Sequence, residues 1–238
     1  LLRVPEISDY PQAMNGLQVE NSGGISRLGA AVDATEAVIK EAAEAQVDFL
    51  IVHHGLFVNC AQRITGANYR KTRMLMEADM AVYSAHLPLD LHPSLGNNAL
   101  LAAALGLEGG VPFHEAFGQK IGLRFEAEVS REVLRDQLER SVGGTVLLAP
   151  GGPVLAQHIG IVTGGAGAEI AKAAAAGIDT FITGEGPHWS YTLAEELRVN
   201  LFYAGHYATE TFGVKALAEN LAQKLALPWQ FIDHPTGL

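Results

Sequence analysis

A repeat dictates much of what this chain can become. Laid without a gap over residues 159–186, the segment 28–55 pairs Gly29 with Gly160, Ile39 with Ile170, Asp48 with Asp179, Ile51 with Ile182 and Gly55 with Gly186, and four alanine pairs coincide as well. Further on, Tyr83-Ser84-Ala85-His86 lines up with Tyr203-Ala204-Gly205-His206. A period of this kind marks a recurring supersecondary unit. In the first copy Leu28 to Val32 reads as a strand, Asp33-Ala34-Thr35 supplies turn and N-cap chemistry for an alanine-rich helix to about Gln46, and Val47 to Val52 reads as a buried strand that stops at His53-His54-Gly55. A helix around Tyr69 to Ala78, a strand at Ala81 to Ala85, a proline-stiffened loop from His86 to Asp90 and a helix at Asn98 to Leu107 follow.

The second copy repeats the order, with strands at Ile159 to Thr163, Thr180 to Thr183 and Leu201 to Ala204 and a helix near Tyr191 to Leu197. The alternation predicts an α/β fold duplicated into two similar halves with mostly parallel sheets. The halves are placed at 1–110 and 154–238, joined by a short strand-helix-strand connector over 111–153 in which Ser130 caps the helix.

Charge narrows the partners. Twenty-six acidic residues against sixteen basic ones give a formal charge of −10, and without a basic cluster this disfavours a nucleic-acid partner. No apolar run approaches the roughly 20 residues that a membrane span needs, so no membrane partner is expected and the chain reads as cytoplasmic. The single cysteine, Cys60, excludes an intramolecular disulfide framework and any CxxC motif, and is read as a buried structural thiol.

Ligands of open α/β sheets lie beyond the carboxyl ends of strands, and the unusual polar residues fall there. His53 and His54 follow one strand, His86 to Asp90 another, Glu185 a third and His206 a fourth. His206 and Glu210 are four residues apart, so a helix already begun at His206 would turn both to one side. Imidazole with carboxylate suits zinc, manganese, iron or nickel rather than calcium. Five donors, His53, His54, Asp90, His206 and Glu210, exceed what one catalytic zinc takes and suit two divalent ions bridged by a carboxylate. His86, Glu185 and His188 are candidates for supporting these donors. Gly164, Gly165 and Gly167 lie between a strand and a helix, where they form either a tight turn or an anion cradle of backbone N–H groups. Neither a dinucleotide fingerprint, a P-loop nor a serine-nucleophile elbow is present.

The segments Asn15-Gly16-Leu17-Gln18-Val19, Leu50-Ile51-Val52-His53-His54-Gly55, Tyr83 to Asp90, Asn97-Asn98, Ile182-Thr183-Gly184-Glu185 and Gly205 to Glu210 together resemble the dinuclear-metal-centre proteins related to the yeast NGG-interacting factor, often described as type 2 GTP cyclohydrolase I. The resemblance implies a three-layer α/β/α fold, two adjacent metals on the same five residues and a toroidal homohexamer with its sites on an inner cavity. The run Glu185-Gly186-Pro187-His188-Trp189 departs from the acidic, histidine-rich sequence that many relatives carry after Thr-Gly. The functional expectation is a metal-dependent hydrolase acting on a small anionic substrate, a nucleotide or phosphoester. A metal storage or delivery protein and a nucleotide-binding regulatory module are the alternatives.

Overall fold

The computed structural model describes residues 1–58 and 63–238, so the reading of Cys60 lies outside the described residues. The chain forms two compact units, Leu1–Leu89 with Gly213–His234, and Asp90–Phe212 with Pro235–Leu238. The first contains β1 (Gly16–Val19), β2 (Leu28–Asp33), α1 (Glu36–Glu44), β3 (Phe49–His54), α2 (Ala67–Glu77) and β4 (Ala81–Ser84), and the single turn α3 (Leu87–Asp90) ends at the unit boundary. Then come α4 (Asn97–Ala104), β5 (Val111–Ala116), β6 (Gln119–Ser130), α5 (Arg131–Val142), β7 (Leu147–Pro150), β8 (Leu155–Ile161), α6 (Ile170–Ala175), β9 (Thr180–Thr183), α7 (His188–Leu197), β10 (Asn200–Tyr203) and α8 (His206–Leu225). A last strand, β11 (Trp229–Phe231), pairs with β2 in the first unit.

The expected caps are where the sequence put them. Thr35 Oγ1 accepts the Val38 N–H at 3.2 Å to start α1, and Ser130 Oγ accepts the Glu132 N–H at 3.3 Å to start α5. The stretch expected as a loop after His86 is instead one helical turn, Leu87–Asp90. Pro88 fits there because a first-turn residue has no intrahelical N–H bond to lose.

The first sheet has the order β1-β4-β3-β2-β11 and is parallel except at β1. The second, β5-β6-β8-β9-β10-β7, is parallel only across β8, β9 and β10. Its flanking pairs β5–β6, β6–β8 and β10–β7 are antiparallel, the first for a local reason: only Phe117 and Gly118, at φ 54° and 75°, separate β5 from β6, and a two-residue turn can join only antiparallel neighbours.

The repeat survives in register. Leu28, Gly29 and Ala30 face Phe49, Leu50 and Ile51, and their counterparts Ile159, Gly160 and Ile161 face Thr180, Phe181 and Ile182. Asp48 accepts the N–H groups of Ser26 and Arg27, and Asp179 accepts those of Gln157 and His158. The later match needs correction. Ala85 N–H bonds Val52 O as Ala204 N–H bonds Thr183 O, which makes Ala85 the counterpart of Ala204 and sets His86 against Gly205, one residue away from the Tyr-x-x-His pairing. Successive strand residues point to opposite faces, so this single step matters.

Each sheet is covered on both faces within its own unit. In the first, Val38, Ile39 and Leu75 of α1 and α2 pack with Leu50, Val52 and Val82, while Leu217 and Leu221 of α8 share a cavity with Phe49, Ile51 and Tyr83. In the second, Leu101, Leu134 and Leu138 of α4 and α5 cluster with Ile159, Ile161 and Phe202, and Ile170 and Ala194 of α6 and α7 cluster with Phe181 and Leu201 on the other face. The result is helix, sheet, helix layering in an α/β fold.

Candidate metal centre

In the first unit the strand ends bring three imidazoles together. The ring centroids of His53 and His54 are 4.9 Å apart, those of His53 and His86 4.9 Å, and those of His54 and His86 5.5 Å. Each ring has one nitrogen held. His53 Nδ1 lies 2.9 Å from Ala85 O, His54 Nδ1 2.9 Å from Asp33 Oδ1, and His86 Nδ1 2.9 Å from Asp9 Oδ1. An Nδ1–H that donates to an oxygen leaves the lone pair on Nε2, the tautomer a metal takes. One donor atom from each of His53, His54 and His86 falls within 4.8 Å of the others, so these rings form a cluster able to hold a metal ion. His53 is fully buried, and its neighbours are partly so.

Two carboxylates aim these rings, and neither was singled out from sequence. Asp33 ends β2 directly opposite His54 at the end of β3, so reading the two strands as parallel neighbours already carried the signal. Asp9 carried none. It accepts from His86, from the N–H groups of Tyr10 and Leu87, and from Asn15 Nδ2. Burial works to raise its carboxyl pKa, but the hydrogen bond and charge of His86, helped by Asn15 and Tyr10, outweigh burial and hold it below the usual carboxylate range. Asn15 Oδ1 also accepts the His86 N–H at 2.7 Å, and Gln18 Oε1 accepts the Leu56 N–H at 2.7 Å.

In the second unit α8 begins at His206, so the spacing of four residues does bring His206 Nε2 to 3.2 Å from Glu210 Oε2. His206 Nδ1 lies 2.9 Å from Glu185 Oε1. Burial would lower the His206 pKa, but Glu210 and then Glu185 raise it to about 9. Glu210 is 3% exposed. Gly164, at φ 72°, passes so close that a Cβ there would strike the Glu210 carboxylate. The glycine loop is tightly tied: Gly164 N–H bonds Thr209 Oγ1 at 3.0 Å, Ala166 N–H bonds Thr183 Oγ1 at 3.0 Å, and Gly167 N–H bonds Glu185 O at 2.9 Å. Gly165 lies beside the His206 ring. Asp90 Oδ1 accepts from Asn97 Nδ2 at 2.7 Å, while Asn98 bridges Ile121 O and Thr163 N–H. His188 is exposed on the first turn of α7.

A family model described as Duf34/NIF3 (NGG1p interacting factor 3) matches residues 6–236. A Deinococcus radiodurans protein named GTP cyclohydrolase 1 type 2 homolog is 40% identical over 235 residues, covering 98% of this chain and 89% of that one. A Halobacterium salinarum protein of the same name is 39% identical over 245 residues, covering 100% and 95%. Among solved structures, TTHA1606 from Thermus thermophilus is 42% identical with a TM-score of 0.91, covering 100% of this chain and 95% of that chain. Reduced HcgD from Methanocaldococcus jannaschii is 30% identical with a TM-score of 0.85, covering 95% and 91%.

Proposed function

The chain belongs to the Duf34/NIF3 family, and from that membership and its oriented imidazoles we propose that it is a divalent-metal-dependent hydrolase of a nucleotide or phosphoester. The observation that carries the reading is that His53, His54 and His86 each have Nδ1 committed to an oxygen while a donor atom of each converges with the others within 4.8 Å. Three buried or half-buried rings held in that tautomer suit a metal better than they suit core packing. On this reading His53, His54, Asp90, His206 and Glu210 hold two divalent ions per chain, of zinc, manganese, iron or nickel, and His86, whose donor atom converges with those of His53 and His54, supports them. The name GTP cyclohydrolase 1 type 2 homolog, which the relatives share, supports a nucleotide substrate.

Divalent ions on such donors supply Lewis acidity and acidify water toward neutral pH. The chain's own residues do the rest. Asp33 and Asp9 fix the ring planes of His54 and His86 and keep their Nδ1 protons in place. Glu185 does the same for His206, and Gly164 leaves room for the Glu210 carboxylate. Assembly into a homohexamer belongs to the same proposal, supported by the resemblance, and so does cytoplasmic location, supported by the single cysteine of the chain; among the described residues no helix is long and apolar enough to cross a membrane.

Turnover of GTP and of a generic phosphomonoester, before and after chelation, tests the reading. Metal-dependent hydrolysis that His54→Ala reduces by at least about a hundredfold, the scale of losing a preorganised catalytic group, is expected. Metal bound at full occupancy with no hydrolysis of either substrate would favour storage or delivery instead. Nucleotide binding that persists after chelation, again without turnover, would favour a regulatory module.

A further inference from the structure

Beside Glu185 the second unit holds a cavity of about 660 Å³, within the usual range for a small-molecule site. Its wall carries Glu185, His188, Tyr191 and Tyr203 over the bare backbone of Gly184 and Gly186. The floor must be glycine: a Cβ on Gly184 would meet His206 Cα at 2.6 Å, and one on Gly186 would meet Ser190 Oγ at 2.8 Å and the Tyr203 ring at 3.0 Å. Both tyrosines pack partly into the core cluster beneath them, and the Tyr203 hydroxyl is 2.7 Å from Ser190 Oγ, so the rings are preorganised. Among the described residues lining the cavity there is no Lys or Arg. That wall suits an uncharged planar ring rather than a phosphate. Glu185 spends Oε1 on His206, and a carboxylate has about four lone-pair sites, so it can still accept N–H donors from a ligand.

We propose that this cavity is the base subsite of a nucleoside substrate, with the base stacked on Tyr191 and edged by His188 and Glu185. The base it fits is a purine with adjacent ring N–H and amino donors, as in guanine, because a carboxylate pairs with two neighbouring donors and finds only an amino group on adenine. The run Glu185 to Trp189 would then set base preference. The inference rests on the nucleotide reading above and names the part of the substrate that this wall recognises.

Calorimetric titration of guanosine and adenosine into the full chain, with metal content measured on the same samples, tests it. The nucleosides carry no phosphate, so phosphate–metal contacts do not contribute to their binding, and the cavity variants report the cavity's share. Guanosine should bind several-fold more tightly than adenosine. Tyr191→Ala should weaken guanosine by roughly tenfold or more, the scale of one base–aromatic stack, while Tyr191→Phe keeps it. His188→Ala, at an exposed position with no folding role, should also weaken it. Guanosine binding that is undetectable in a metal-loaded chain, unchanged in both alanine variants, or equalled by adenosine would overturn the proposal. A chain without metal that still shows the expected pattern would support the cavity and count against the hydrolase.

Discussion

Asp9 and His86 meet across 77 residues of sequence, and the buried carboxylate binds two backbone N–H groups and Asn15 besides the ring. Removing it strands partly buried donors, so Asp9→Ala should destabilise the metal-depleted chain by about 2 kcal/mol in urea unfolding. A loss under about 0.5 kcal/mol would mean that the network is not fixed in solution. His206 offers a second test. With its pKa raised from 6.5 to about 9, the protonated ring stabilises the metal-depleted fold fully below pH 6.5, and that contribution fades as pH rises through about 9. NMR titration of the His206 ring should therefore give a midpoint near 9, and metal uptake there must release a proton at neutral pH. A midpoint near 6.5 would show that Glu210 and Glu185 do not hold the ring.

Asp48 and Asp179 show why the duplicated elements were legible. Each closes the entry to its sheet by accepting two backbone N–H groups at equivalent positions, so the sequence match reflects one physical task performed twice. Asp48→Ala and Asp179→Ala should each cost about 1 kcal/mol, near the value of a lost cap; urea midpoints that differ widely between them would argue against equivalent roles. The paired tasks support a duplication, and we propose 1–110 and 154–238 as its two halves. Strands with continuous apolar runs, such as Leu50 to Val52, were readable because both faces are buried. Others were not: β1 has no buried residue, β11 has three residues, and β5 begins with two exposed ones, so none carries an apolar signature. The one-residue offset between His86 and His206 escaped for another reason. Matching letters cannot report which carbonyl an N–H finds, and only the sheet register does.

Over the whole molecule, the candidate metal donors stood out because histidines and acids at strand ends have few structural uses, whereas Asp9 and Asp33 reach His86 and His54 across 77 and 21 residues of sequence. The acidic balance of −10 means that filling the donors with cations relieves repulsion as well as satisfying ligands. Excess manganese or zinc should raise the melting temperature of the chelated chain by mass action, by about 2.7 kcal/mol of stability at a hundredfold excess over Kd. An unchanged melting temperature would contradict metal binding to the folded state. The most direct test is elemental analysis of the purified chain beside the variant carrying His53→Ala and His206→Ala. Two divalent ions per chain are expected in the parent and far fewer in the variant; no metal in either after reconstitution, or equal metal in both, would contradict the metal centre.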